Sequence, residues 1–483
     1  MASSKPQISC QKLSITSILF LSVLLMLMLF SFNPNRAPSS TITSNSSPEP
    51  IKIGLVNVDD HVKHAYDRMH GQLETVTVDF RRVSEELKWE SFFPEWIDED
   101  ARWHQPSCPE VPMPRLEDYG DLDVILARVP CGSGSEKEGM RTDQWIDQGW
   151  WRSDGVRYFH GSCGPMQEIF RCDDLMTRLG GYWVYKPELR RLRQKVQMPV
   201  GSCQIAPLDR FTGMVAYATV IHSSEAYVCG AIALAQSIIQ KNSTRDLVLL
   251  HDSSLSPQSL VGLRSAGWKT KLIQPIRSPF ARKNSYNEWN YSKLRLWQLT
   301  DYDKVIFIDA DLIVLRNIDK FFAYPQLSAA PNDGVLFNSG IMVIEPSTCL
   351  FEEMMSKRDK LFSYNGGDQG FLNEVFTWWH RLPTRLNYLK IFKEQGNPDH
   401  EIQKDYDCNW DMLDRHVFAS DSAHRRWWRV YDAMPRKLQK YCGLTKHMDA
   451  RIRKWRGKAK NANLPDGHWK INVKDPRQNH LNN

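Results

Sequence analysis

Between residues 213 and 309 the chain alternates apolar runs with segments of helical pattern, and this alternation restricts the fold more than any other feature. Strands are predicted at 213–221 (GMVAYATVI), 246–252 (DLVLLHD), 270–276 (TKLIQPI) and 304–309 (KVIFID). Helices are predicted between them, over 226–240, 256–266 and 292–300. This order predicts an α/β fold with an open, mainly parallel sheet flanked by helices. In such sheets, ligands bind beyond the carboxyl ends of the strands.

Two aspartates, Asp309 and Asp311, follow the last of these strands directly. Side chains two residues apart in an extended chain point the same way, with Cα atoms about 6.6 Å apart. Burying an ionised carboxylate costs several kcal/mol unless a cation or hydrogen bonds compensate it. Either the two acids end the strand and face water, or they hold one hard divalent cation, which prefers oxygen ligands.

Two further polar motifs lie downstream between apolar segments. VLFNSGIMVIEP, residues 335–346, predicts a tight turn at Asn338, Ser339 and Gly340. NGGDQGFLNEVF, residues 365–376, predicts that Asp368 and Gln369 lie on a glycine-rich loop that opens a helix. Taken alone, each motif predicts only a turn.

In this order the motifs resemble glycosyltransferase family 8, the glycogenin-like retaining enzymes. Within that family they resemble the plant glucuronosyltransferases that place glucuronic acid on xylan. The resemblance covers the catalytic region and extends into the C-terminal stretches DYDCNW, FASDSAHRRWWRVYDAMP and DGHW. It implies a GT-A type nucleotide-diphospho-sugar transferase fold, Mn²⁺ as cofactor, UDP-glucuronate as donor and xylan as acceptor. It also implies other xylan-synthesis transferases as possible partners.

The resemblance assigns roles to particular residues. Asp309 and Asp311 are expected to bind the metal and the nucleotide, with Ala310 between them in the donor site. Tyr227 is expected to stack on uracil and Lys293 to contact the diphosphate. Asn338, Ser339 and Gly340 are expected to face the donor sugar. The donor and acceptor pocket is expected to be lined by Asn365, Gly366, Gly367, Asp368 and Gln369.

Asp368 is the carboxylate of these motifs left for catalysis. Retention requires either a carboxylate nucleophile on the far side of the anomeric carbon or return of the acceptor from the front face. Asp368 fits the first role, and the sequence leaves both routes open.

The sequence departs from the family pattern before DYDCNW. The family carries an H-x-x-G-x-K-P-W segment there, whose histidine completes the metal shell and whose lysine binds the diphosphate. Residues 387–407 read NYLKIFKEQGNPDHEIQKDYD, and His400 lacks the glycine and lysine that should follow it. Two alternatives are an active xylan glucuronosyltransferase, and an inactive paralogue or shortened gene product that partners active transferases. A glycogenin-like self-glucosylating initiator is the third alternative.

The N-terminal segment 13–32 (LSITSILFLSVLLMLMLFSF) contains no charged residue. A helix of about twenty residues spans roughly 30 Å, the thickness of a bilayer core. Lys5 and Lys12 precede this segment, which predicts a cytosolic tail at 1–12 and a lumenal remainder. A cleaved signal peptide is the alternative. The Pro/Ser/Thr/Asn-rich stretch 33–50 predicts a stem.

These features predict a single-pass type II protein of the Golgi membrane. The lumenal part is divided into an N-terminal region (51–200), a GT-A catalytic domain (201–390) and a C-terminal family-specific region (391–483). Nine of the ten cysteines would lie in the oxidising lumen, and their spacing matches no zinc motif. Asn45, Asn242 and Asn290 open N-x-S/T sequons. A net charge of +6 is modest, and nucleic acid is not an expected partner in a secretory protein.

Overall fold

The computed structural model describes residues 50–67, 73–78, 86–94, 108–109, 119, 121–129, 156–160, 164–165, 167–196, 201–203, 211–332, 335–387 and 422–442. The predicted cytosolic tail, the predicted membrane helix and the predicted stem up to residue 49 lie outside these residues. So does the departing segment beyond Asn387, with His400. Among the helices that the structure describes, none is long and apolar enough to cross a membrane.

The first sheet is built from residues 51–185. Its strands are β1 (Ile51–Val56), β2 (Leu73–Val78), β3 (Val124–Arg128), β4 (Val156–His160), β5 (Leu175–Leu179) and β6 (Tyr182–Tyr185). Their order is β2-β1-β3-β4-β6-β5. The first four pair in parallel, and β6 pairs antiparallel with β4 and β5. Helices α1 (Asp60–Asp67) and α2 (Leu189–Val196) belong to the same stretch of chain.

The second sheet has seven strands and is mainly parallel, as the alternation predicts. They are β7 (Val215–Ile221), β8 (Asp246–His251), β9 (Lys269–Leu272), β10 (Lys304–Ile308), β11 (Ser328–Pro331), β12 (Phe337–Ile344) and β13 (His380–Arg381). Their order is β13-β11-β12-β10-β7-β8-β9. Strands β10, β7, β8 and β9 pair in parallel, and β12 lies antiparallel between β10 and β11. Buried residues of the sheet and its helices form two large apolar clusters.

The helices around the second sheet begin and end where local chemistry favours it. They are α3 (Val228–Ile239), α4 (Pro257–Ser265), α5 (Thr348–Lys357), α6 (Asp368–Val375), α7 (Ser422–Ala433) and α8 (Arg436–Gln439). The hydroxyl of Ser256 accepts a hydrogen bond from the Ser259 backbone N–H and caps α4. Gly267, just beyond α4, has a φ of 115°, a conformation that favours glycine.

Two predicted elements differ from the structure. The predicted turn at Asn338, Ser339 and Gly340 is wrong: all three lie within strand β12, because Phe337 and the apolar run from Ile341 onward continue the ladder on both sides. The predicted helix at 292–300 is a 3₁₀-helix, Asn290–Gln298. The glycine-rich loop ends at Gly367, and Asp368 and Gln369 lie in the first turn of α6.

A buried group of charges connects the segment before β5 with the end of β12. The Arg171 guanidinium lies 2.9 Å from the Glu345 carboxylate, and both side chains are 7% exposed. Burial alone would raise the pKa of Glu345, but Lys304, Arg171 and Arg191 outweigh it and hold that pKa below its usual range. Removing one partner of such a pair is typically destabilising by about 3–5 kcal/mol, since the other charge stays buried. A Cys172–Cys349 disulfide reinforces the same junction.

Two more disulfides, Cys108–Cys203 and Cys229–Cys442, join distant parts of the chain. The second connects α3 with the C-terminal end of the α7–α8 segment. Of the three sequons, the one at Asn45 lies outside the described residues. Asn242 is exposed, whereas Asn290 is half-buried and opens a 3₁₀-helix.

Candidate active site

Polar side chains of the candidate site gather at one edge of the seven-stranded sheet. Asp309 follows β10, and His222 and Asp252 follow the parallel strands β7 and β8. Because the carboxyl ends of parallel strands meet at one edge, these residues lie near each other. The antiparallel strand β12 begins at the same edge, where the Asp309 backbone N–H donates to the Gly340 carbonyl at 2.9 Å.

A buried lysine, Lys293, links two carboxylates that are far apart in sequence. Its Nζ lies 3.0 Å from Asp309 Oδ1 and 2.9 Å from Asp368 Oδ2. The Ser339 hydroxyl donates a second hydrogen bond to Asp368 Oδ2, at 2.8 Å. The structure thus brings together the predicted diphosphate-binding lysine, the first metal-binding aspartate, the candidate nucleophile and one donor-facing residue.

Burial and charge act on this cluster in opposite directions. Burial alone would lower the pKa of Lys293, but the carboxylates of Asp309 and Asp368 raise it above its usual range. Burial raises the pKa of Asp309 to about 7; Lys293 opposes this rise, and the neighbouring carboxylates of Asp311 and Asp368 add to it. A divalent cation at Asp309 and Asp311 would favour the ionised form instead.

The loop before α6 is held by its own side chains. Asn365 Oδ1 accepts hydrogen bonds from the backbone N–H groups of Gly367 at 2.9 Å and Gly370 at 3.1 Å. Gly366 has a φ of 68°, which favours glycine there. Asp368 opens α6, and a negative charge at a helix N-terminus interacts favourably with the helix dipole.

Asn338 is fixed by two donors at the start of β12. Its Oδ1 accepts from the Gly340 backbone N–H at 2.8 Å and from Asn387 Nδ2 at 2.7 Å. A Cβ at position 340 would lie 2.9 Å from that same Oδ1, so glycine allows the close approach. The neighbouring Ser339 N–H donates to Gln369 Oε1 at 3.1 Å.

Tyr227, the predicted uracil-stacking residue, lies just before α3 and is 36% exposed. Its contact with a nucleotide stays a prediction. Ala310 is buried, and its carbonyl oxygen would lie 2.3 Å from a Cβ at Gly230. Helix α3 therefore approaches the turn between Asp309 and Asp311 closely, which requires a glycine at position 230.

The donor set fits a hard divalent cation in part. Asp309 and Asp311 offer carboxylate oxygens only, the ligands that Mg²⁺ and Mn²⁺ prefer. Within the residues that the structure describes, no group of three or more His, Cys, Asp or Glu side chains could hold a metal. Asp309 and Asp311 would thus supply two ligands, with the diphosphate and water available for the others.

Sequence reasoning missed His222 and Asn387. His222 is half-buried, and burial, with Lys293 adding to the effect, lowers its pKa. Its position directly after a parallel strand, like that of Asp309, is a signal that could have revealed it. Asn387 is 2% exposed, and its link to Asn338 spans 49 residues, so no local pattern indicates it.

The raised pKa of Asp309 predicts a pH-dependent stability. Its folded pKa of about 7 exceeds the unfolded value of about 3.9, so between these pH values the folded state binds more protons. The contribution of Asp309 to the free energy of unfolding of the metal-free chain should therefore fall as pH rises from about 4 to about 7, whereas groups with a lowered pKa such as His222 contribute in the opposite direction. Asp309→Asn lacks the Asp309 contribution, so the free energy of unfolding of the unmodified chain minus that of Asp309→Asn should fall over this pH range. Urea unfolding of the full chain in detergent and EDTA measures both.

The exposed Asp359→Asn variant is the matched control and should retain the pH dependence of the unmodified chain, since Asp359 is 64% exposed. Parallel pH profiles for the unmodified chain and Asp309→Asn would contradict the role of Asp309.

Comparison with known proteins places this site in a family. The glycosyl transferase family 8 model matches residues 218–329, and the GUX1-5 N-terminal domain model matches residues 31–203. The chain is 47% identical to UDP-glucuronate:xylan alpha-glucuronosyltransferase 2 of Arabidopsis thaliana, over 88% of this chain and 80% of that one. It is 44% identical to UDP-glucuronate:xylan alpha-glucuronosyltransferase 1 of the same plant, over 90% and 73%.

Among solved structures, the galactosyltransferase LgtC in complex with donor and acceptor sugar analogs is similar to 47% of this chain, over 99% of its own length. The identity is 14% and the TM-score 0.34. Both plant relatives are more than 40% identical to this chain and are matched over more than two thirds of their own length. This chain belongs to the UDP-glucuronate:xylan alpha-glucuronosyltransferase family and contains a glycosyltransferase family 8 domain.

Proposed function

We propose that this chain transfers glucuronic acid from UDP-glucuronate to xylan with retention of configuration, on a GT-A type fold. The observation that carries the proposal is the Asp309–Lys293–Asp368 cluster at the carboxyl edge of the mainly parallel sheet. It combines a fixed positive charge with two carboxylates: Asp309, which would hold a cation together with Asp311, and Asp368, which is bound by Ser339. The family relationship supplies the donor and the acceptor.

Leaving-group departure calls for positive charge, and two sources lie at this edge. Asp309 and Asp311 would hold a divalent cation such as Mn²⁺, which would supply a Lewis acid for the diphosphate when bound. Lys293 supplies a second charge, held at 10% side-chain exposure by the carboxylates on either side of it. A buried charge needs no reorganisation when the diphosphate leaves, which is the condition for strong electrostatic stabilisation.

Asp368 would act on the donor sugar. Asp368 is 3% exposed, and its Oδ2 accepts hydrogen bonds from Lys293 and Ser339. These two bonds fix the orientation of the carboxylate. In a double displacement it would form an ester with the anomeric carbon as UDP leaves, and a xylan hydroxyl would then displace it. In front-face return it would stabilise positive charge at the anomeric carbon.

The absent H-x-x-G-x-K-P-W segment is expected to reduce turnover. The alignment with UDP-glucuronate:xylan alpha-glucuronosyltransferase 1 covers 487 positions but only 90% of this 483-residue chain, so that relative contains residues without a counterpart here. Each preorganised contact to a leaving group is typically worth about 10²–10³ in rate, and two such losses do not add simply. We therefore propose specifically that this chain transfers glucuronic acid slowly.

Turnover tests the proposal directly. The full chain in detergent, with UDP-glucuronate, Mn²⁺ and xylohexaose, should transfer glucuronic acid at least about 100-fold more slowly than a form with the family segment restored before Asp405. An insert of equal length made of glycine and serine is the control and should give no gain. Mass spectrometry of the oligosaccharide measures transfer.

Equal turnover before and after restoration would show that another residue has replaced the missing histidine, with His400 the first to substitute. Absence of transfer in both forms would contradict the proposed activity.

Metal-dependent nucleotide binding gives an independent test of the two acids. Asp309→Asn or Asp311→Asn should weaken UDP binding in the presence of Mn²⁺ by at least about 10–100-fold, because a metal ligand is lost. Isothermal titration calorimetry measures it. The exposed Asp301→Asn should bind UDP like the unmodified chain. Unchanged UDP affinity in both site variants would mean that the acids only end the strand.

We also propose that the protein is anchored in the Golgi membrane by residues 13–32, with residues 51–483 in the lumen. The Cys108–Cys203, Cys172–Cys349 and Cys229–Cys442 disulfides support an oxidising compartment. The sequon at Asn242 offers a reporter, since it lies on the surface with a φ of 60°.

Asn242→Gln should therefore remove a glycan and increase the gel mobility of the protein made in plant cells. Asn290→Gln is the matched control: Asn290 is half-buried, the Ser292 hydroxyl of its sequon is buried, and the mobility should not change. A chain whose residues beyond 51 are digested when protease is added to intact microsomes, and whose Asn242 has no glycan, would contradict this topology.

A further inference from the structure

Exposed aromatic side chains lie on and beside the loop at residues 363–367, next to the candidate site. Phe362 is 65% exposed and Tyr364 is 48% exposed, on either side of the buried Ser363. Phe280 packs edge-on against Phe362, with ring centroids 5.4 Å apart. Tyr286, on the neighbouring segment 277–289, is 85% exposed. Large apolar groups exposed together commonly mark a binding surface.

The two segments that present these rings are fastened to each other. Ser278 Oγ donates to the Gly366 carbonyl at 2.7 Å, and Asn287 Nδ2 donates to the Asn365 carbonyl at 2.6 Å. A Cβ at Gly366 would lie 3.1 Å from the Phe280 carbonyl oxygen, so the backbones are in close contact. Tyr286 directly precedes Asn287 and is therefore anchored to the loop through it. A surface fixed in this way loses little conformational entropy when a ligand binds.

Hydrogen bonds connect this surface with the candidate nucleophile. The Gln369 amide nitrogen donates to the Tyr364 hydroxyl at 2.6 Å, and Gln369 Oε1 accepts from the Ser339 backbone N–H at 3.1 Å. Ser339 in turn binds Asp368 through its hydroxyl. The exposed rings thus continue the candidate active site outward rather than forming a separate patch.

We propose that Tyr286, Phe362 and Tyr364 form a stacking surface for the backbone of the acceptor, an uncharged chain of linked pyranose rings. This proposal rests on the proposed function and names the part of the site that would hold xylan. Each pyranose presents a flat face of C–H groups that packs on an aromatic ring, while its hydroxyls point outward to water or to polar neighbours. Aromatic rings supply large contact area with few rotatable bonds, and a tyrosine hydroxyl adds a polar contact.

A polysaccharide fits this surface better than the apolar face of a protein partner does. The rings are interspersed with polar groups such as Ser285, Asn365 and Gln369, and the surface continues into the site that would hold the donor sugar. A sugar chain needs alternating apolar and hydrogen-bonding contacts, and the rings and their polar neighbours supply both kinds.

Binding of xylohexaose to the full chain in detergent tests the assignment without requiring turnover. Tyr286→Ala and Phe362→Ala should each weaken xylohexaose affinity about three- to tenfold in calorimetry, and the double variant more, while UDP affinity with Mn²⁺ stays within about twofold. Tyr364→Phe keeps the ring and should keep most of the affinity. Leu272→Ala is the matched control, since Leu272 is also 65% exposed but lies on the edge strand β9.

Xylohexaose affinities of Tyr286→Ala and Phe362→Ala equal to that of Leu272→Ala would overturn the stacking surface and leave the proposed transfer reaction standing. If the unmodified chain binds UDP but no xylohexaose, the surface is overturned, and so is xylan as acceptor. Loss of self-association in sedimentation, with unchanged xylohexaose affinity, would assign the rings to a protein contact instead. Thermal unfolding confirms that each variant is folded.

Discussion

The ion pairs of Lys293 hold the candidate site together. This lysine joins Asp309, at the end of β10, to Asp368, at the start of α6, two residues 59 positions apart in the sequence. Burying the charge of Lys293 or of Asp368 alone is unfavourable. The ion pairs of Lys293 with Asp309 and Asp368, and the hydrogen bond from Ser339 to Asp368, offset this cost. These contacts therefore hold the start of α6, the loop at 363–367 before it and strand β12 against the end of β10.

The same principle connects the two sheets. Arg171, Glu345 and Lys304 form a second buried charge group, with Lys304 Nζ 3.5 Å from the Glu345 carboxylate. Burial lowers the pKa of Lys304 to about 8, although the nearby carboxylate of Glu345 acts to raise it. Glu345 directly follows β12, the strand whose other end carries Asn338 and Ser339. Both ends of β12 are thus fixed by charges that are stable only when paired, which limits how far its polar residues can shift.

The sequence predicted those features of the fold that depend on local pattern. Apolar runs located β7, β8 and β10, and the position of Asp309 after a buried strand predicted that it lies at the carboxyl edge of the sheet. Local pattern failed at Asn338, Ser339 and Gly340, because polar and small residues indicate a turn until their partners are known. Those partners, Gln369 and Asn387, lie 30 and 49 residues away. Hydrogen bonds over such separations leave no periodic trace in a single sequence.

Gln369 connects Ser339 with the surface residue Tyr364 through one amide. Its nitrogen binds the Tyr364 hydroxyl and its oxygen binds the Ser339 N–H, so neither group can turn without breaking the other bond. Rotating the amide would exchange a donor for an acceptor at both positions and leave the Ser339 N–H facing an NH₂ group. If xylan packs on Tyr364 as proposed, ordering of that side chain would also order Gln369 and, through Ser339, the carboxylate of Asp368. In the proposed reaction, the geometry at the anomeric carbon would then depend on contacts made at the surface, because these hydrogen bonds form one continuous series.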